Sequence, residues 1–142
     1  MQVRIKRIDT SLPLPAYQTS GAAAFDLYSR TDMAIAPKTI GLIPTNLIIE
    51  TPSGYMLTVV TRSSTTKKKG LLVPHGIGII DQDYHGEKDE VMLQVYNFTD
   101  QEVAITRSER VGQAVFVRID QAEWEEVGEI KEASRGGFGS TG

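Results

Sequence analysis

The chain has 142 residues, 18 of them acidic and 15 basic, for a formal net charge of −3, and no cysteine. That length fits one domain with a real hydrophobic core, and the missing thiols exclude disulfides, thiolate nucleophiles and sulfur-based zinc sites. The charge gives no counterion-release drive toward polymeric nucleic acid or anionic membrane, so neither is expected as a partner.

The opening MQVRIKRID lacks the apolar block of a signal peptide. No run approaches the roughly 18 apolar residues of a membrane span, so a soluble, cytoplasmic protein is expected. Short apolar or alternating runs then recur at Val3 to Ile8, Ala24 to Tyr28, Met33 to Ile35, Ile40 to Ile43, Leu47 to Ile49, Tyr55 to Val60, Leu71 to Val73, Ile77 to Ile80, Val91 to Tyr96, Val103 to Ile105 and Val111 to Ile119. Rich in Val, Ile, Leu and aromatics and bounded by Pro, Gly, Asn or Asp, they predict an all-β sandwich or jelly roll. One short helix is predicted within 61–70, where serines suit the N-cap, lysines the last turn and Gly70 the stop.

Five stretches carry residues that could do chemistry. Asp26 in AAAFDL is an acid inside an apolar run; it caps a strand end, pairs with a cation, or places a metal through its water shell. Arg62, Ser63 and Ser64 put a guanidinium and two hydroxyls at the predicted helix start, where N–H groups attract anions; a plain capped surface helix explains them equally. In GIGIIDQDYHGE, residues 76–87, glycines at what resembles a hairpin let a flat ligand approach the backbone, and Asp81 can take a proton from water. Asp81 and Asp83 are also favoured turn residues, Tyr84 also suits a core, and His75 and His85 are not spaced as metal ligands. Gln113 in RVGQAVF is an amide in an apolar strand and needs a partner. The closing RGGFGSTG combines Arg135, the aromatic Phe138, Gly139 and the hydroxyls of Ser140 and Thr141, which suits either a frayed end or a flap over a nucleotide.

In order, AAAFDLYS, RSS, GIGIIDQDYHGE, RVGQAVF and RGGFGSTG closely resemble the five motifs of the trimeric dUTPase family, from about residue 21 to the last. The resemblance implies a distorted jelly-roll subunit in a homotrimer with C-terminal arm exchange, a β domain over 1–132, and a flexible lid over 133–142. It implies hydrolysis of dUTP to dUMP and pyrophosphate, limiting uracil in DNA and supplying dUMP for thymidylate synthesis. Asp81 would activate the water that attacks the α-phosphorus. Tyr84 would pack against the deoxyribose and exclude a 2′-hydroxyl, while the backbone at Gly78, Ile79 and Ile80 would read uracil, with His75 beside the base. Arg62, Ser63 and Ser64 of a neighbouring subunit and Gln113 would bind phosphates. Phe138 would stack on the uracil, and Arg135, Gly139, Ser140 and Thr141 would grip the terminal phosphate. Mg2+ would sit mainly on the triphosphate, with Asp26 reaching it through water.

Four features differ from the family's usual pattern: Ala24 replaces a glycine, His75 stands where many members carry asparagine, Glu87-Lys88-Asp89-Glu90 makes the segment after Gly86 a few residues longer, and Arg135 lies two residues closer to Phe138 than in the commonest pattern. The related dCTP deaminases, including bifunctional members, carry a glutamate three residues before the asparagine that aligns with Asn97. Gln94 stands there instead, and an amide cannot shuttle the proton that deamination needs. A non-catalytic β-sandwich module would not require Asp81, Tyr84 and Phe138 together. A single-strand binder built on the Lys67 to Lys69 cluster would need interleaved surface aromatics, which are scarce.

Overall fold

The computed structural model describes residues 1–137 and Gly139. Its elements are β1 (Ile5–Arg7), β2 (Phe25–Tyr28), β3 (Met33–Ile35), β4 (Ile40–Pro44), β5 (Leu47–Ile49), β6 (Tyr55–Thr61), α1 (Thr65–Lys69), β7 (Leu71–Leu72), β8 (Gly78–Ile80), β9 (Met92–Asn97), β10 (Val103–Ile105) and β11 (Arg110–Arg118). Every predicted run overlaps one of these strands, and the fold is the all-β one expected.

A four-stranded sheet in the order β2-β11-β6-β8 faces a three-stranded sheet β4-β9-β7, and the pairs β1-β5 and β10-β3 close the sides. All pairings are antiparallel. Alternation in β9 sends Leu93, Val95 and Asn97 inward and leaves Met92, Gln94 and Tyr96 half-buried on the other face. Leu27, Leu57, Val59 and Ala114 from the larger sheet join Ile43, Leu71, Leu93 and Val95 from the smaller in one buried cluster. The sheets meet closely at Gly112, where an added Cβ would lie 2.8 Å from Leu93 Cδ2 and 2.8 Å from the Val60 carbonyl oxygen.

The hairpin expected over 76–87 is not formed. Strand β8 pairs with β6, while β9 is taken by β4 and, at its far end, by β7. At Gly76, with φ at 86°, the segment turns from the smaller sheet to the edge of the larger. Beyond β11, Ile119 N–H donates to the Gly54 carbonyl at 2.9 Å. Residues 120–137 are exposed, carry no helix or strand, and include Trp124 at 93% exposure.

Candidate functional site

The candidate residues fall into two groups at opposite ends of β6. The first surrounds β8, an edge strand with a ladder partner on the β6 side only. Gly78 lies opposite Val59, and a Cβ there would come within 2.4 Å of Val59 Cγ2, so the backbone approaches more closely than a side chain would allow. A cavity of about 180 Å³ opens beside it, with His75, Gly78, Ile79 and Ile80 on one wall and Leu42, Met92 and Gln94 on the other. His75 is held by a 2.6 Å contact between Nδ1 and the Ile77 carbonyl oxygen. An edge strand beside an apolar slot presents backbone donors and acceptors to a flat ring, the same groups that would otherwise extend the sheet.

Asp81 follows β8 immediately and is exposed on the rim of a second cavity of about 400 Å³, shared with Tyr55, Met56, Asp83, Ile119 and Gln121. The chain then turns back on itself, with Tyr84 N–H donating to the Asp81 carbonyl at 3.3 Å and His85 N–H to the Asp83 carbonyl at 3.1 Å. Tyr84 hangs from this turn, half exposed, its hydroxyl donating to the Glu90 carbonyl at 3.2 Å. The turn therefore places a carboxylate and an aromatic side chain in the residues that directly follow the slot's Ile80.

The second group lies where β2, β11 and the exit of β6 converge. Asp26 and Gln113 are cross-strand partners on β2 and β11, and Gln113 also faces Val60 on β6. Asp26 is 6% exposed and has two cations: Arg62 Nε lies 3.2 Å from Oδ1 and Arg110 Nη1 lies 3.1 Å from Oδ2. Of the three roles open to Asp26 in the sequence, cation pairing is therefore present. Arg110 reaches it because β11 is irregular: the register against β2 shifts between Arg110 and Gly112. Val111 and Gly112 are both buried, so the bulge inserts one residue and turns Arg110 to the outer face beside Asp26.

Ser63 and Ser64 follow Arg62 into α1, which is five residues long. Ser64 occupies the N-cap, as predicted, but its φ and ψ of −89° and −11° are helical, and its side chain makes no cap hydrogen bond. Gly70 ends the helix at φ 66°, in the left-handed region expected of a glycine stop, and the three lysines fill the last turn. The Ser64 hydroxyl and the Arg62 Nη groups carry no protein partner among the described residues. A cavity of about 130 Å³ lies beside them, lined also by Lys68, Lys69 and Arg110.

The two groups are not adjacent. Ile80 faces Leu57 and Asp81 follows it, whereas Arg62 leaves β6 after Thr61, at the opposite end. At the usual strand rise this separates Asp81 from Arg62 by about 20 Å along the sheet. Arg135 and Gly139 are exposed, and Arg135 makes no hydrogen bond or ion pair with either group among the described residues. Phe138, Ser140 and Thr141 lie outside the described residues.

The dUTPase family model matches residues 10–142. A deoxyuridine 5′-triphosphate nucleotidohydrolase from Dictyoglomus turgidum is 39% identical over 148 aligned positions, covering 100% of this chain and 99% of its own. The chain belongs to the dUTPase family. Among solved structures, the dUTPase of Streptococcus mutans is 31% identical with a TM-score of 0.77, over 84% of this chain and 98% of its own. The dUTPase of Staphylococcus bacteriophage 80alpha, solved with dUPNHPP, has a TM-score of 0.86 at 23% identity, over 99% and 98% of the two chains, and supports the fold.

Two features of this dUTPase family member were not assigned from the sequence. Arg110 opens the RVGQAVF stretch, but its partner Asp26 is 84 positions away, and a bulge that turns a side chain over leaves no local signal. The buried Glu90 and the half-buried Arg30 form a second ion pair, 60 positions apart, and the Glu90 carbonyl holds the Tyr84 hydroxyl. No group of three His, Asp or Glu side chains that could cage a metal gathers among the described residues. With a guanidinium on each oxygen, Asp26 fits a contact to a cation through water better than direct ligation.

Proposed function

We propose that this member of the dUTPase family hydrolyses dUTP to dUMP and pyrophosphate, with Asp81 as the general base. The observation that carries the reading is the slot beside β8: edge backbone at Gly78, Ile79 and Ile80 on its wall, with Asp81 at the next position in the chain. Uracil would enter the slot and pair with that backbone, and His75 would sit beside it. A ring held that closely has little room for a 5-methyl group. Tyr84, on the turn that Asp81 begins, would lie against the sugar, where its ring would meet a 2′-hydroxyl.

Asp81 would then abstract the proton from a water as that water attacks the α-phosphorus; the bond to the bridging oxygen breaks and pyrophosphate leaves. A carboxylate within hydrogen-bond reach of its water is the geometric requirement, and an exposed Asp81, one residue beyond the slot's Ile80, suits it. Arg62, Ser63, Ser64 and Gln113 would hold the triphosphate oxygens. Phe138 would stack on the uracil, while Arg135, Gly139, Ser140 and Thr141 would close on the terminal phosphate. Mg2+ carried by the triphosphate would neutralise charge on the pyrophosphate leaving group, with Asp26 oriented toward its water shell by Arg62 and Arg110.

Groups ~20 Å apart along one sheet cannot serve one phosphorus atom, so the site would need at least two chains. We accordingly assign the working form to a homotrimer, in which Arg62, Ser63 and Ser64 of one subunit complete the slot of the next and the segment after Ile119 crosses to a neighbour. Exposure of Trp124, Val127 and Ile130 on that segment supports the crossing. The activity would remove dUTP before it enters DNA and supply dUMP for thymidylate synthesis.

The test is pyrophosphate release from dUTP, UTP, dTTP and dCTP, with and without Mg2+, for wild type and Asp81→Asn. Turnover of dUTP alone, lost by about 100-fold or more in the variant with its unfolding curve unchanged, is the expected result. Turnover of all four nucleotides at similar rates, or an active Asp81→Asn, would rule the reading out.

A further inference from the structure

The segment that leads from Tyr84 back to β9 contains the additional residues Glu87 to Glu90. Two of them are tied to the body of the subunit in different ways. Glu87 pairs with Lys6, and both side chains are open to solvent, at 85% and 52% exposure. Such a pair is screened and contributes little. Glu90 is buried: its Oε1 accepts Arg30 Nε at 2.9 Å and the Asn46 N–H at 2.7 Å, and its Oε2 accepts Arg30 Nη2 at 2.8 Å.

Those donors come from parts of the chain that are themselves fixed. Arg30 N–H donates to the Pro44 carbonyl at 2.8 Å, and the Asn46 side chain exchanges hydrogen bonds with the Asp9 backbone in both directions. The adjoining Val91 N–H donates to the Leu47 carbonyl at 2.8 Å, and Val91 accepts from the Thr45 hydroxyl at 2.6 Å. Fork geometry at a carboxylate, with a backbone N–H added, leaves Glu90 a single placement. The carbonyl of that same residue accepts the Tyr84 hydroxyl at 3.2 Å. Tyr84 is otherwise half exposed, on a turn whose neighbours Asp83 and His85 are exposed, so this bond holds the far end of its ring.

We propose that Glu90 and Arg30 are positioning residues for the Tyr84 ring and thereby set the preference for deoxyribose over ribose. The inference rests on the reading above, in which Tyr84 packs against the sugar. Excluding one hydroxyl by contact requires the ring to stay within a fraction of an ångström of its place, since a ring free to rotate about its side-chain torsions swings aside and admits the larger sugar. Glu90 acts through its carbonyl and touches no substrate. An ion pair that served stability alone would alter unfolding without altering the ratio of two substrates on the folded enzyme.

The experiment compares kcat/KM for dUTP and UTP in wild type, Glu90→Gln, Arg30→Lys, Tyr84→Phe and the Glu90→Gln/Tyr84→Phe double variant, below the onset of unfolding of each. Expected is a dUTP/UTP ratio about 10-fold lower in each of the three single variants, with no further fall in the double variant because both changes release the same ring. Glu87→Gln keeps the wild-type ratio. An unchanged ratio in Glu90→Gln, or single effects that multiply in the double variant, would overturn the proposal. Should Glu90→Gln not fold, Tyr84→Phe decides alone, since it removes only a hydroxyl, and an unchanged ratio there overturns the proposal equally. Wild-type enzyme that releases no pyrophosphate from dUTP would instead overturn the underlying reading.

Discussion

Ser64 shows how one residue's geometry separates two roles that its position alone cannot. A serine at a helix N-cap commonly accepts a hydrogen bond from a backbone N–H through its side-chain oxygen, and its loss then costs about 1 kcal/mol. Here the side chain makes no such bond, and Arg62, one position before Ser63, turns its Nε to Asp26. Ser64→Ala is therefore expected to change stability by less than about 0.5 kcal/mol in chemical denaturation. Its kcat/KM for dUTP should nevertheless fall by about 10-fold, the usual consequence of losing a hydrogen bond to a charged phosphate. A large stability loss with unchanged kinetics would return Ser64 to an ordinary cap. The same contrast marks what is readable in single residues. Asp26 in AAAFDL announces that it needs a cation, but its partners Arg62 and Arg110 are set by register and by a bulge, which no local pattern encodes.

Between elements, the loops are held by side chains more than by ladders. Asp9, at the exit of β1, accepts the Ser11 hydroxyl at 2.6 Å and Arg107 Nη2 at 2.7 Å, so the first loop is fastened to the turn between β10 and β11. Hydrogen bonds from the Ser11 hydroxyl, from the Arg107 guanidinium and from the Ser11 N–H hold its carboxyl well below the usual carboxylate range. With the folded-state pKa below the unfolded one, the unfolded chain binds more protons in the interval, so stability rises with pH there. The contribution is complete above the ordinary value of 3.8 and is lost as pH falls below it toward the depressed value. Asp9→Asn should accordingly be less stable than wild type near pH 7, and the gap should narrow in thermal unfolding below about pH 4. A gap constant with pH would show that the bonds to Asp9 do not favour its ionised form. Strand positions were legible at this scale because β-branched residues, alternation and turn residues repeat the same message, as over Met33 to Ile35 and Leu47 to Ile49. Pairing was not: β8 reads as half of a hairpin in sequence, yet it joins β6, because the alternative edge of β9 is partly held by β7 and the chain turns away at Gly76.

At the scale of the whole molecule, Asp81 and Arg62 lie at opposite ends of β6. The separation of Asp81 from Arg62, about 20 Å, is set by the length of β6 between Met56, level with Asp81, and Arg62, and no side-chain rotation closes it. A catalytic unit made from both would therefore require at least two chains, and the exposed segment from 120 to 137 would offer further surface to a neighbour. None of this follows from the motifs individually, since their order along the chain says nothing of which ends they occupy in space.

The central claim, that each active site is shared between subunits, is tested most directly by complementation. Asp81→Asn and Arg62→Ala are each expected to be nearly inactive on dUTP. Unfolded together in equal amounts and refolded, they should form mixed trimers in which about one quarter of the sites pair an intact Asp81 from one chain with an intact Arg62 from the next, and activity should return to about that fraction of wild type. A refolded mixture as inactive as either variant alone, with mixed trimers demonstrated by mass, would contradict the account.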